Sequence, residues 1–503
     1  MNLQAHQELV ANLLKALPDA KLIETHISSV ILSGESVYKL KKPVDFGFLD
    51  YSTLGKRHHC CLEELRSNRR FAPSLYLGLV TITGTPEEPA LEGEGEVIDY
   101  AVRMRRFDEA EQLDHVVDRG ELEPEAMDAI AETVAAFHQR AAVAAADTEF
   151  GEPERVLAPM LENFDLLAEL LDDEETGAAL ADLKMWTLEQ HARLKRRLRA
   201  RKERGFIREC HGDMHLHNMA RFGGEVILFD AIEFNPYLSH IDVVSDLAFL
   251  LMDLEYRGLP HYSNRLLNAY MEHTGDFEGI PLLELYKTYR AMVRAKVAAL
   301  RSAQQLDAAE REAVVAEVRR YIALARRYTQ TQTPFLAITR GCSGSGKSSA
   351  ALMAVEALGA LRIRSDVERK RLFGEGEIYT LQATQATYRW LASSAKSVLE
   401  GHRSVVADAT FLKRWQRELF ETLAAEQGVR YLILDLECDR ALLGERVQRR
   451  MEEGSDVSEA DLTVLEGQIA SAEPLEEQEL PYRRRVDCTT MGSMKQDLLE
   501  ALE

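Results

Sequence analysis

One octapeptide limits what this chain can fold into more than any other feature. Gly341-Cys342-Ser343-Gly344-Ser345-Gly346-Lys347-Ser348 has the spacing G-x-x-x-x-G-K-[ST], directly after the strand-like run FLAIT and directly before the helical pattern SAALMAVEAL. A strand, a glycine-rich turn and a helix in that order make a cradle for phosphate. The glycines let the loop wrap so that backbone N–H groups from Gly341 to Ser349, those of Ser343 and Ser345 included, face an anion, and the helix N-terminus favours negative charge. Lys347 would reach the β/γ-phosphates of ATP, and the Ser348 hydroxyl would ligate Mg2+.

Strand-like runs near 335–339, 361–364, 404–407 and 431–436 alternate with helical patterns, which predicts a parallel α/β sheet. Asp366 ends the second run and Asp408 the third, where such sheets place ligand-binding groups. Asp408 would hold Mg2+ through water, and Asp366 would orient and deprotonate an acceptor hydroxyl. The competing reading of either aspartate is a helix cap. Arg446, Arg449 and Arg450 follow at helical spacing, with Arg446 and Arg450 on one face, as in an arginine lid over phosphates or a solvated basic face. GCSGSGKSS, RIRSD, VVADAT and the arginine helix before SDVSEADLTVLEGQ resemble small P-loop kinases related to gluconate, adenylylsulfate and polynucleotide kinases. The resemblance covers most of 335–503. It implies phosphoryl transfer from ATP to a hydroxyl, with Lys347, Ser348, Asp366 and Asp408 in these roles.

At 503 residues the chain is too long for one ordinary core. Tyr328-Thr-Gln-Thr-Gln-Thr-Pro334 is short, polar and ends in proline, so a boundary is expected there, between a domain at 1–328 and one at 335–503. No apolar run approaches the roughly 20 residues that span a bilayer, and the N-terminus reads as an amphipathic helix with no export signal. No membrane association is expected. The six cysteines show neither CxxC spacing nor clustered histidines, which argues against zinc and a disulfide framework and for a cytoplasmic location. The formal charge of −22 is uneven: residues 334–503 hold 22 Lys+Arg and 28 Asp+Glu, about −6, and the 39 and 55 before them give about −16. Such a field favours cationic or neutral partners and makes nucleic acid an unfavoured one.

Residues 22–107 carry the strand-like runs SSVILS, SVYKLKK, YLGLVTIT and VIDYAVRMRRF around a helical segment near 54–71, a small α+β lobe at about 1–107. From about 108 to 328 the pattern is helical, interrupted by ECHGDMHLHNMARFGGEVILFDAIEFN at 209–235. Asp213, Asn218 and Asp230 are spaced like the base and two metal ligands of a kinase catalytic loop. Asp213 would accept a substrate proton, and Asn218 and Asp230 would hold Mg2+. His215 and His217 lack a third ligand at metal spacing and read as loop-orienting groups. Lys39, in Val37-Tyr38-Lys39, is the candidate lysine for the α/β-phosphates, with Lys41 and Lys42 as competitors; Glu64 is its candidate acidic partner, with Glu63 second. The stretch Tyr100–Phe107, Met104 within it, would be the hinge whose backbone meets adenine.

HGDMHLHN and the later aspartate resemble the aminoglycoside phosphotransferase and choline-kinase group over about 22–328, which implies a bilobal, protein-kinase-like α+β domain before the α/β P-loop domain. Two departures stand out: Asp230 is followed by Ala-Ile-Glu233, and LSGES (32–36) replaces a full glycine-rich loop. The fused chain resembles bacterial bifunctional phosphotransferase/ATP-binding proteins. The expected function is ATP- and Mg2+-dependent phosphotransfer by two modules, the first acting on a small hydroxyl compound. The alternatives are a nucleotide-sensing role of one module toward the other and a nucleic-acid end kinase in the P-loop module.

Overall fold

A computed structural model describes residues 1–47, 49–171, 173–302, 308–374, 380–453 and 461–502. The chain starts with α1 (Leu3–Ala16), β1 (Lys21–Glu24), β2 (Ser28–Ser33), β3 (Ser36–Lys41), α2 (Leu54–Asn68), β4 (Tyr76–Gly84), β5 (Pro89–Leu91) and β6 (Val97–Arg105). Among the described residues these strands form one antiparallel sheet in the order β1-β2-β3-β6-β4-β5. The period-2 alternation of β3 decides what each face meets. Leu40 joins Leu9, Val10 and Leu13 of α1, with Ile31, Ile82 and Ala101, in a buried cluster. Lys39 and Lys41 point the opposite way, toward Glu64 of α2. Thr53 caps α2, its hydroxyl accepting from Lys56 N at 3.2 Å, which holds the helix that carries Glu64.

The helical region runs α3 (Leu113–Asp118), α4 (Glu125–Arg140), α5 (Pro153–Leu170) and α6 (Glu174–Glu203), then β7 (Ile207–Glu209), β8 (Met219–Phe222), β9 (Glu225–Leu228), α7 (Pro236–Ser239), β10 (His240–Asp242), α8 (Val243–Tyr256), α9 (Pro260–Thr274), α10 (Leu283–Ser302) and α11 (Ala308–Tyr328). β7 pairs with β10 and β8 with β9, so two short ribbons frame the residues at 211–218 and 229–239.

From Phe335 on, β11 (Phe335–Arg340), α12 (Lys347–Leu358), β12 (Leu361–Arg364), α13 (Ser365–Phe373), α14 (Leu381–Glu400), β13 (Val405–Asp408), α15 (Arg414–Gln427), β14 (Arg430–Asp435), α16 (Arg440–Glu453), α17 (Leu462–Ser471), β15 (Arg483–Arg485) and α18 (Met491–Leu502) follow. Among the described residues the sheet is parallel throughout, in the order β12-β13-β11-β14-β15. β11, β13 and β14 are buried along nearly their whole length because helices cover both faces. The phosphate-binding turn therefore leaves the middle of the sheet, with Asp408 and Asp366 to one side and the ends of β14 and β15 to the other.

Packing separates two compact units. One comprises Met1–Ala129, Ala136–Leu161 and His191–Asp253, the other Ile130–Ala135, Glu162–Gln190 and Leu254–Glu503. The helices from Leu254 to Tyr328, which precede the proline-ended linker in sequence, thus pack with the parallel sheet.

Candidate active sites

In the first unit, Lys39 Nζ lies 2.9 Å from Glu64 Oε1 and also pairs with Asp230. Burial alone would lower the Lys39 ammonium pKa, but Asp230 and Glu64 beside it hold it well above the ordinary lysine value. Lys41, expected as a competitor, is a second partner of the same carboxylate: its Nζ lies 2.8 Å from Glu64 Oε2 and also meets Glu233, whose Oε1 accepts from Tyr51 Oη at 2.8 Å. Lys42 turns to the Thr25 carbonyl at 2.7 Å, and Glu63 pairs with Arg66. Glu233, three residues after Asp230, is thus an anchor tied to β3.

Asp213 and Asn218 come together: Asn218 Nδ2 donates to both Asp213 O and Asp213 Oδ2, each at 3.0 Å. With its amide nitrogen so used, Asn218 keeps its carbonyl oxygen for another partner. His215 Nε2 lies 3.3 Å from Asp213 Oδ2, whereas His217 Nδ1 meets Asp114 Oδ2 at 2.9 Å, away from the aspartate. Asp230 adopts φ +61°, a left-handed conformation that aspartate tolerates, and its N–H donates to Tyr76 Oη at 3.0 Å. Phe229 N–H donates to the Asn218 carbonyl at 3.0 Å, which joins the Asp213 and Asp230 loops.

The turn before Asp213 is held by a residue that the sequence reading did not single out. Asp246, on α8, accepts from His211 N through Oδ2 and Gly212 N through Oδ1, both at 2.9 Å. Gly212 has φ +85°, and a Cβ there would meet Leu238 O at 2.8 Å, so only glycine fits. His138, Cys210 and Asp246 bring ligand atoms within 4.8 Å of one another, but Asp246 is committed to the turn and Cys210 Sγ to the Ile241 carbonyl. Met104 pairs with Val37 and Tyr76 near the end of β6. Residues 100–105 of the expected hinge are strand, and only 106 and 107 lie beyond it. The LSGES segment is the β2–β3 turn, and Ser33 Oγ donates to Pro18 O at 2.8 Å.

In the second unit, Ser343, Gly344, Gly346, Lys347, Ser348 and Ser349 line a cavity of about 850 Å³ together with Arg364, Asp366, Arg369, Tyr388, Asp408, Arg446 and Arg449. Gly341 and Ser345 shape the loop behind it, Gly341 N–H donating to Thr410 O at 3.2 Å and Ser345 N–H to Cys342 O at 3.2 Å. Lys347 Nζ donates to Cys342 O at 2.8 Å, and Ser343 N–H donates to Gln468 Oε1 of α17 at 2.8 Å. Neither aspartate is a helix cap: Arg364 precedes α13, and α15 starts only at Arg414. Arg446 joins the loop to the segment after β15, donating to Gly344 O at 3.4 Å and Cys488 O at 2.7 Å. Arg449 shares the cavity wall with Arg446; the side chain of Arg450, expected as its partner, lies outside the described residues.

The expectation of no disulfide is corrected: Cys438 and Cys488 are bonded, with Cα atoms 6.0 Å apart. They are 50 residues apart in sequence and meet because β14 and β15 are parallel neighbours whose following loops converge. This removes the cysteine argument for compartment. No helix among the described residues is long and apolar enough to cross a membrane.

The donor sets fit a divalent cation. Asp408 Oδ2 is buried without a hydrogen bond among the described residues, with Arg364 Nε 3.9 Å away. A buried carboxylate oxygen in that condition is costly unless a cation reaches it. In the first unit, the side-chain oxygen of Asn218 and the half-exposed carboxylate of Asp230 offer hard oxygen donors of the same kind.

Residues 85–283 match the model of the phosphotransferase enzyme family and residues 336–475 that of an AAA domain. An uncharacterized protein of Mycobacterium tuberculosis is 30% identical over 448 residues, covering 86% of this chain and 87% of its own, and one of Mycobacterium bovis gives the same figures. Among solved structures, a choline/ethanolamine kinase family protein from Mesorhizobium loti aligns with 64% of this chain and 99% of its own at 13% identity and a TM-score of 0.38. A gluconokinase from Sinorhizobium meliloti aligns with 34% and 93% at 21% identity and a TM-score of 0.28. The chain belongs to one family with these mycobacterial proteins and is an ATP-dependent phosphotransferase of kinase type, in which a protein-kinase-like phosphotransferase domain precedes an α/β P-loop domain.

Proposed function

We propose that both modules transfer the γ-phosphoryl group of ATP to a hydroxyl, each with its own aspartate base, and that the two domains run 1–328 and 335–503. The observation that carries this reading is the single cavity around Lys347, Ser348, Asp366 and Asp408, which unites a phosphate cradle with a carboxylate at the reach of an acceptor. Asp366 would orient the acceptor hydroxyl and accept its proton as the O–P bond forms. Lys347 would hold the β/γ-phosphates, and Arg446 and Arg449 would offset the charge that develops on them. In the first module Asp213 would take the proton, with Asn218 and His215 fixing its carboxylate, and Lys39, positioned by Glu64, would hold the α/β-phosphates. Mg2+ held by Ser348 and Asp408, and by Asn218 and Asp230, would neutralise phosphate charge.

The acceptor of the first module would be a small, neutral or cationic molecule, in keeping with about −16 over residues 1–333. We place the protein in the cytoplasm, where ATP is at hand. The test is a γ-phosphate transfer screen of the full chain against small polyols, aminoglycosides and 5′-hydroxyl oligonucleotides, with Asp213→Ala and Lys347→Ala in parallel. Each variant is expected to abolish one activity and spare the other. Two activities that both survive Lys347→Ala would leave the P-loop module without a catalytic role.

A further inference from the structure

We propose that Glu272, on α9, is a positioning residue for the P-loop site, setting the places of Ser348 and Asp408 through Arg362 and Arg364. This rests on the reading of that site as one for Mg2+ and nucleotide. α9 precedes the linker in sequence and carries no recognised motif, yet its carboxylate lies behind both candidate cation-holding residues.

Glu272 Oε1 accepts from Arg362 Nε at 2.8 Å and meets Arg362 Nη2 at 2.6 Å, and it also accepts from Asn268 Nδ2 at 3.0 Å. The third nitrogen of the same guanidinium, Nη1, donates to the Ser348 carbonyl at 3.1 Å. The other carboxylate oxygen, Oε2, lies 3.9 Å from Arg364 Nη1, and Arg364 Nε lies 3.9 Å from Asp408 Oδ2. One carboxylate thus addresses two arginines of β12, and each arginine addresses one residue of the site. β12 is the edge strand, and its outward amide is covered from the same helix: Arg362 N–H donates to Asn268 Oδ1 at 2.8 Å. Arg362 is buried, and a buried guanidinium held by a charged partner has little freedom to move. Its planar fork allows it to hold Glu272 and the Ser348 carbonyl at once, which a lysine cannot do with the same geometry. Ser348 sits in the first turn of α12, so its backbone carbonyl and its hydroxyl move together.

The prediction is that Glu272 governs cation-assisted nucleotide binding. In the full chain carrying Lys39→Met, to weaken the first nucleotide site, ADP is titrated calorimetrically with Mg2+ and with EDTA, and the factor by which Mg2+ strengthens Lys347-dependent binding is the readout. Glu272→Gln is expected to reduce that factor about tenfold, the low end for loss of a residue that supports a cation ligand. Arg362→Lys is expected to do the same, and it carries the test should Glu272→Gln not fold. Glu356→Gln, which removes a separate α9–α12 ion pair to Arg265 at 3.1 Å, should leave the factor unchanged. The Mg2+ concentration for half-maximal Lys347-dependent turnover should rise in step and be met by excess Mg2+. Lys347-dependent ADP binding with an unaltered Mg2+ factor in Glu272→Gln and Arg362→Lys overturns this inference alone. Absence of any Lys347-dependent binding in the parent chain overturns the nucleotide reading of the site and the inference with it.

Discussion

Lys39 and Lys41 lie on one face of β3 and both reach Glu64, but their surroundings differ. Lys41 is buried against Glu64 and Glu233, which are themselves buried, while Asp230, the other partner of Lys39, is 45% exposed. Removing one partner of a buried ion pair costs about 3–5 kcal/mol because a charge is left uncompensated. Lys41→Met should therefore destabilise the first unit by about that amount, whereas Lys39→Met leaves Glu64 with Lys41 and Asp230 with water and should cost far less. Denaturant unfolding of the two variants checks the order, and the reverse order would mean that Lys41 is not the structural lysine. A second residue gives a pH signature. His6, on α1, is buried with Nε2 3.1 Å from Ser29 Oγ, and burial first, then Arg57 and Lys42, lower its pKa to about 4. The native state holds it neutral, so its contribution is complete above its unfolded value near 6.5 and is lost as pH falls toward 4. That amounts to about 3 kcal/mol at about 1.4 kcal/mol per unit. His6→Gln should flatten the unfolding curve over this window.

At the scale of elements, the strand, loop and helix from Phe335 to Leu358 were legible because each signal is local: an apolar run, glycines at fixed offsets, a helical period. β12, β13 and β14 fell within a residue of their expected places for the same reason. Asp213, Asn218 and Asp230 are legible from their spacing within one stretch, Lys39 and Glu64 from their places on a strand and a helix, and the structure sets Lys39 beside Glu64 and Asp230 and Asn218 beside Asp213. What was not legible depends on distant contacts. Asp246 reaches His211 across 35 residues and Gly212 across 34, Gln468 reaches Ser343 N across 125, and Glu233 reaches Lys41 across 192. Nor does any local signal assign α9–α11 to the parallel sheet, since an amphipathic helix shows that it packs but not against what. Gly344 tests the loop itself: its φ is +83°, and a Cβ would lie 2.8 Å from the Leu443 carbonyl of α16. Gly344→Ala has to displace loop or helix. Lys347-dependent ADP binding is expected to weaken by at least about tenfold, with unfolding of the first unit unaffected. Unchanged binding would show that the loop does not need this conformation.

For the molecule as a whole, the acceptor of the first module is where charge and architecture bear on the same question. A peptide substrate needs an extended platform after the metal-holding aspartate, but here Asp230 is followed within about a dozen residues by α8, and the intervening chain is already committed. Ile232 N–H donates to the His211 carbonyl at 3.0 Å, α7 occupies Pro236–Ser239, and His240–Asp242 pair with β7. Asp242 in turn holds Arg201, whose Nη2 donates to Oδ1 at 2.8 Å. A segment tied at these points is folded back on the module and does not form an extended platform. The field over residues 1–333, about −16, repels a nucleic acid and concentrates cations. Long-range attraction of this kind is screened over a Debye length of about 10 Å at 0.1 M salt and about 3 Å at 1 M. The expected outcome for a cationic acceptor is that kcat/KM of the Asp213-dependent transfer falls about threefold or more as salt rises over this range, through KM, with kcat little changed. A neutral acceptor of the same size should lose much less. Asp213-dependent labelling of proteins or RNA in preference to any small molecule in a metabolite extract would defeat the reading, because both substrates require the platform and the potential that this module lacks.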